Sequence, residues 1–122
     1  DGVTFYGHPW TPEFCGWNWM CGPREMERHL TKAACILNGC PEIDGKIDVF
    51  VSHGPMQGIL YRNREGERCG CRALRSLFQD AMTVPKWLLC GHIHEAQGVQ
   101  GWSRGMMVSN AARCQTLITV EG

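Results

Sequence analysis

A chain of 122 residues makes one domain, or part of one, with enough length for a real hydrophobic core. Lys+Arg and Asp+Glu both number 12, so the formal charge is zero; composition offers neither the basic footprint of a nucleic-acid binder nor a polybasic patch for anionic lipid. Apolar runs of only a few residues exclude a transmembrane helix, and no secretory signal is visible, which favours an intracellular location without naming a compartment.

Position 1 is Asp rather than Met, so a processed or shortened N-terminus is one expectation, and the missing leader carries little weight. Eight cysteines allow two readings. An even count fits a disulfide framework or a cysteine-rich zinc site. Ordinary apolar content with α/β patterning instead favours free thiols, most of them buried; Cys35 and Cys90 lie inside apolar segments, where a thiol acts as a small hydrophobe. No pair has CxxC spacing.

In chain order, Val3–Tyr6 is a short β-prone run closed by Gly7-His8-Pro9. Trp10–Met20 holds three of the five tryptophans with neither helical nor strand period, and reads as a loop packed on the domain or on a neighbour. A histidine such as His8, beside a loop, is more often a surface or packing residue than a ligand. Gly22-Pro23 opens a helix running to about Asn38, with Met26, Leu30, Ala33, Ala34 and Leu37 on one stripe and His29 beside it. Asn38-Gly39 is a stop signal.

Ile47–Val51 reads as a strand buried on both faces. A long loop, Gly54–Gly66, follows it, and loops of that length are often functional. A second helix spans roughly Cys69–Met82, with Leu74, Leu77, Phe78 and Ala81 on one face and Pro85 blocking its continuation. Trp87–Cys90 is the next strand. Val99-Gln100, Met106–Ser109 and Thr116–Val120 are short runs between glycines, read as a small meander. The order is α/β with a mixed sheet and flanking helices.

Two stretches carry chemistry. Ser52-His53-Gly54-Pro55 and Gly91-His92-Ile93-His94 each follow an apolar strand. In open α/β sheets, loops leaving the carboxyl ends of strands gather at one edge, where sites form. Imidazoles converging there fit a divalent transition metal such as zinc, iron or manganese. Extended backbone would put His92 and His94 on one face; a turn would let them diverge toward two ions. The plainer reading is a set of hydrogen-bonded structural histidines.

Taken together, Tyr6-Gly7-His8-Pro9-Trp10-Thr11-Pro12, Ser52–Leu60, Cys69-Gly70-Cys71, Pro85–Glu95 and Val108-Ser109-Asn110-Ala111 resemble the calcineurin-like metallophosphoesterases, in particular their metallophosphoesterase domain-containing branch. The resemblance runs in order along nearly the whole chain. It implies that residues 1–122 form the C-terminal half of an αββα sandwich, a mixed sheet with flanking helices. It also implies an enzyme that hydrolyses phosphodiesters, cyclic nucleotides among them, with two divalent metals (Mn, Fe or Zn).

By that resemblance His53 and His92 hold one ion and His94 the other, and the two ions clamp the phosphate and activate a hydroxide for in-line attack. Glu95 orients a ligand from behind, and Gly54 and Asn110 lie on the substrate side. The family's other ligand motifs, an N-terminal DxH, a GDxxD and a GNHD/E, are absent from these 122 residues. Asp44, Asp48 and Asp80 sit in the wrong contexts to replace them, and three neutral imidazoles do not balance two divalent charges. The isolated chain is therefore expected to be inactive, binding at most one metal weakly or none. Another polypeptide segment is expected to cover the exposed sheet face. The alternative is a catalytically degenerate interaction subunit of a larger assembly.

Overall fold

A computed structural model describes residues 2–12, 20–43, 45–60, 66, 70–93, 96–112 and 117–120. The elements in chain order are β1 (Phe5–His8), β2 (Thr11–Pro12), β3 (Met20–Cys21), α1 (Pro23–His29), α2 (Thr31–Leu37), β4 (Val49–Ser52), α3 (Arg72–Asp80), β5 (Trp87–Cys90), β6 (Gly98–Gly101) and β7 (Met107–Asn110). The main sheet has the order β1-β4-β5-β7-β6. Its first four strands are mutually parallel and β6 runs antiparallel to β7. This is the mixed α/β sheet expected. β2 and β3 form a separate short parallel pair.

Strand register sorts the side chains onto two faces. Tyr6, Phe50, Leu88 and Val108 are in register and share one face. Phe50, Leu88 and Val108 there are completely buried, in one core with Met26, Leu30, Ala33 and Leu37 of the first helical segment and with Leu74 and Phe78 of α3. Phe50 is the centre: Tyr6 stacks on it at 5.3 Å and Phe78 meets it edge-on at 5.3 Å. Removing a ring so enclosed costs about 3–5 kcal/mol.

The opposite face is only partly covered. Phe5 is 61% exposed, Val51 38% and Val99 49%. The carboxyl-terminal segment reaches one part of this face, where the Trp87 indole N–H donates to the Thr119 carbonyl at 3.1 Å.

Several expected boundaries move. The first helix is broken at Leu30 (φ −91°, ψ 0°). At the break the Leu30 N–H is shared between the Met26 carbonyl at 3.1 Å and the Glu27 carbonyl at 3.2 Å, and the Thr31 hydroxyl also donates to Glu27 at 3.2 Å. The buried stripe survives the break, except that Ala34 is only half-buried.

The α3 helix starts at Arg72 rather than Cys69, because Cys71 is extended and bridges Met56. Its N–H donates to Pro55 and its carbonyl accepts from Gln57, so its backbone is already used. The α3 helix ends at Asp80, where the Arg104 guanidinium takes the carbonyls of Phe78, Gln79 and Met82. β1 and β4 each begin two residues later than expected, and residues 117–120 are not a strand. Trp10 packs as anticipated, stacked on His29 at 4.4 Å. Thr11, Pro12 and Met20, expected to be loop, instead belong to the short parallel pair β2 and β3, and residues 13–19 lie outside the described residues.

Candidate metal site

All four parallel strands end on one edge. His8 is in register with Ser52 and Cys90 with Asn110, so the segments after them leave the sheet side by side. His53 is the first residue past β4. Its N–H donates to the His8 carbonyl at 3.2 Å and its carbonyl accepts from Gly91 at 2.9 Å. Its backbone is thus clamped between the two neighbouring strands. The buried Ser52 hydroxyl donates to the Gly54 carbonyl at 2.6 Å and turns the chain directly afterwards. Gly54 and Pro55 are buried beneath that turn.

His92 is presented differently. Its φ is +66°, in the left-handed region that non-glycine residues avoid. The Ile93 N–H donates to the Gly91 carbonyl at 2.7 Å, closing a three-residue turn with His92 at its apex. Such a residue is held against its own preference by about 1–2 kcal/mol. The result is that His53 Nε2 and His92 Nδ1 lie 3.0 Å apart, with ring centres at 4.7 Å.

Without a metal, one of these nitrogens donates a proton to the other. With both lone pairs turned inward, the protons sit on His53 Nδ1 and His92 Nε2. Two nitrogens bound to one ion at about 2.0–2.1 Å sit about 3.0–3.4 Å apart, so the observed pair suits adjacent positions on a single cation. Among the described residues no group of three or more His, Cys, Asp or Glu side chains gathers to hold a metal. The donor set therefore fits part of a metal centre and not a whole one. His94 and Glu95 lie outside the described residues.

Asn110 is fully buried. Its amide nitrogen donates to Leu60 at 3.1 Å and to Ile93 at 3.2 Å, and its oxygen accepts from Ala112 at 3.1 Å. The residue noticed for the substrate side thus ties together the loop after β4 and the turn that carries His92. No sequence signal marks that role.

His8 is also buried and contacts the Met26 sulfur at 3.1 Å. Burial first, then the charge of His29, lowers its pKa to about 4, so its imidazole is neutral and serves packing. Burial raises the Cys90 thiol to about 12, which suits a core thiol and not a ligand. Among the described cysteines, Cys35, Cys40, Cys71 and Cys90 are free thiols, and Cys21, Cys71 and Cys90 are buried. Asp48 lies at the other end of β4, bonded to the Thr4 N–H and paired with Lys46.

Known proteins give this edge a context. No protein-family profile matches the chain. Metallophosphoesterase domain-containing protein 1 of Homo sapiens is 31% identical over 99 residues, covering 80% of this chain and 27% of that protein, and the Mus musculus protein gives the same figures. UPF0046 protein T07D4.2 of Caenorhabditis elegans is 31% identical over 98 residues, covering 80% of this chain and 22% of that protein. The chain spans about a quarter of the length of these curated relatives. A solved crystal structure superposes with a TM-score of 0.57 at 14% identity, over 90% of this chain and 40% of that one, which is a likeness of fold. Over the four fifths of its length that aligns, the chain belongs with the metallophosphoesterase domain-containing proteins.

Proposed function

We propose that this chain contributes the imidazole side of a metal-dependent phosphodiester-hydrolysing site, built on a partial metallophosphoesterase sandwich. The observation that carries the reading is the facing pair His53 Nε2 and His92 Nδ1, on the carboxyl edge of the parallel sheet. In this reading His53 and His92 hold one cation and His94 a second, with Glu95 orienting a ligand. Gly54 lies on the substrate side in this reading, as the buried residue of the turn that follows His53. Asn110 positions the His92 turn. When bound, two divalent cations (Mn, Fe or Zn) supply charge stabilisation for the phosphate and activation of the attacking water. The carboxylates that balance them come from polypeptide outside the described residues, and the substrate class is a phosphodiester such as a cyclic nucleotide.

A second reading has its own support. The apolar exposure of Phe5, Val51 and Val99 suits a module that packs against another polypeptide whether or not it catalyses. Calorimetric titration with Mn²⁺, beside hydrolysis of bis-p-nitrophenyl phosphate, tests both. The isolated chain should bind one ion weakly, lose that binding in His53→Ala and His92→Ala, and show no turnover. Turnover should appear once the completing polypeptide is present and vanish in His92→Ala. Metal binding unchanged in both variants would sink the first reading. A completed assembly that holds no metal and turns nothing over would favour the second.

A further inference from the structure

The α2 helix stops in a specific way. Gly39 is left-handed, with φ +70°. Its N–H donates to Ile36 at 3.1 Å, and the Cys40 N–H reaches back to Cys35 at 2.9 Å. This nested pair of hydrogen bonds is a Schellman motif, whose geometry brings the residue after the glycine against one in the last helical turn. In most such helix ends that contact is an apolar seal. In this chain both residues are cysteines, set beside one another by the Cys40 N–H bond to the Cys35 carbonyl.

Both thiols are free and half-exposed, whereas Cys21, Cys71 and Cys90 are buried. They line a groove between the first helical segment and α3, beside Leu30, Leu77 and Ala81. The same helix end is keyed to the segment after α3: Asn38 accepts the Met82 N–H, and Leu37 accepts both the N–H and the hydroxyl of Thr83. The two cysteines are therefore held together by backbone on one side and by tertiary contacts on the other.

We infer that Cys35 and Cys40 form a dithiol–disulfide pair, a modification site at the end of α2 that takes a small disulfide such as oxidised glutathione as its oxidant. The hydrogen bond with Cys35 first, then burial, then the charges of Cys35 and Glu42, hold the Cys40 thiol above its ordinary pKa. With Cys35 as the first nucleophile, its thiol gives up a proton and the sulfur attacks. One sulfur of the small disulfide joins Cys35, its S–S bond breaks, and one small thiolate leaves. Cys40 then yields its proton and attacks the Cys35 sulfur, expelling the second small thiolate. Two protein thiols are oxidised by two electrons, one small disulfide is reduced to two small thiols, and the two protons pass to the leaving thiolates.

The test exploits the sequence. No Lys or Arg lies between Ala33 and Lys46, so trypsin releases both cysteines in one peptide, Ala33–Lys46. The purified protein is incubated with oxidised glutathione, alkylated, digested and weighed. The expected peptide is unalkylated, lighter by two hydrogens than the reduced form, and restored by dithiothreitol. Cys35→Ser and Cys40→Ser should each retain glutathione on the remaining thiol. Gly39→Val, which resists the left-handed conformation, should close the disulfide at least about tenfold more slowly. A wild-type peptide that is alkylated twice, or that carries two separate glutathiones, overturns the pairing; a Gly39→Val rate equal to wild type overturns its origin in the helix end.

Discussion

The side-chain amide of Asn110 donates to the backbone carbonyl of Leu60, 50 residues earlier in the chain, at 3.1 Å. Leu60 is itself left-handed, with φ +49°, and the bond fixes it there. A second bond runs from the same nitrogen to Ile93. Asn110→Asp keeps the volume and the acceptor for Ala112 but turns a donor into an acceptor facing two carbonyls. We expect a loss of about 2–4 kcal/mol in denaturant unfolding, larger above the carboxylate range than below it. Wild-type stability in this variant would show that the clamp is dispensable.

His92 offers a separation of strain from ligation. His92→Ala and His92→Gly both remove the imidazole and should both abolish Mn²⁺ binding. Only glycine relieves the left-handed backbone, so His92→Gly should melt later than His92→Ala, by about 1 kcal/mol in stability. Equal melting of the two variants would mean that the turn is not held against a preference.

Gly70 has no room for a side chain. A Cβ there would lie 2.5 Å from Gln57 Cα and 2.6 Å from the Met56 carbonyl, both of them backbone atoms. Gly70→Ala should break the Met56–Cys71 bridge and destabilise the fold by about 1–3 kcal/mol or more. The effect should appear as faster proteolysis of the segment between β4 and α3. Unchanged proteolysis would argue that this bridge does not hold the loop.

The Asp48 carboxylate accepts the Thr4 N–H at 2.8 Å. That bond first, against the opposing effect of burial and with help from Lys46 and Lys86, holds its pKa below the ordinary 3.8. A folded-state pKa below the unfolded one favours the ionised native form. The stabilisation is therefore complete above the ordinary range and is lost as pH falls through it. Asp48→Ala should lower the melting temperature at pH 7, and the gap from wild type should narrow as pH drops below about 4. A gap independent of pH would remove the carboxylate from the account.

Periodicity and neighbouring glycines are enough to locate His53 and His92 just past strand ends. Phe50, Leu88 and Val108 were legible as core because strands carry apolar runs, and the stripe from Met26 to Leu37 because helices repeat every three to four residues. The pairing of His53 with His92 follows once β4 and β5 are adjacent and parallel. What lay beyond pattern was the work of single atoms. Nothing in Leu30 announces that the helix breaks there. Nothing in Arg104 announces that it caps one. Asn110 invites a reading as a polar contact for a ligand, while the fold spends its amide on Leu60 and Ile93. Asn38-Gly39 reads as a stop in sequence; only the hydrogen-bond pattern of that stop sets Cys40 against Cys35.

The order of the sheet has a kinetic meaning. Phe5 pairs with Val49, and Val49 with Trp87, so these two parallel ladders close only after the helices between their strands have been gathered in. Loop-closure entropy is spent before any ladder bond repays it, which makes assembly slow and late. During that interval the face bearing Phe5, Val51 and Val99 is open, and it stays partly open afterwards. Nascent chains of this kind compete between docking and self-association, so a covering segment made or bound early would govern how much of the protein reaches the native state at all.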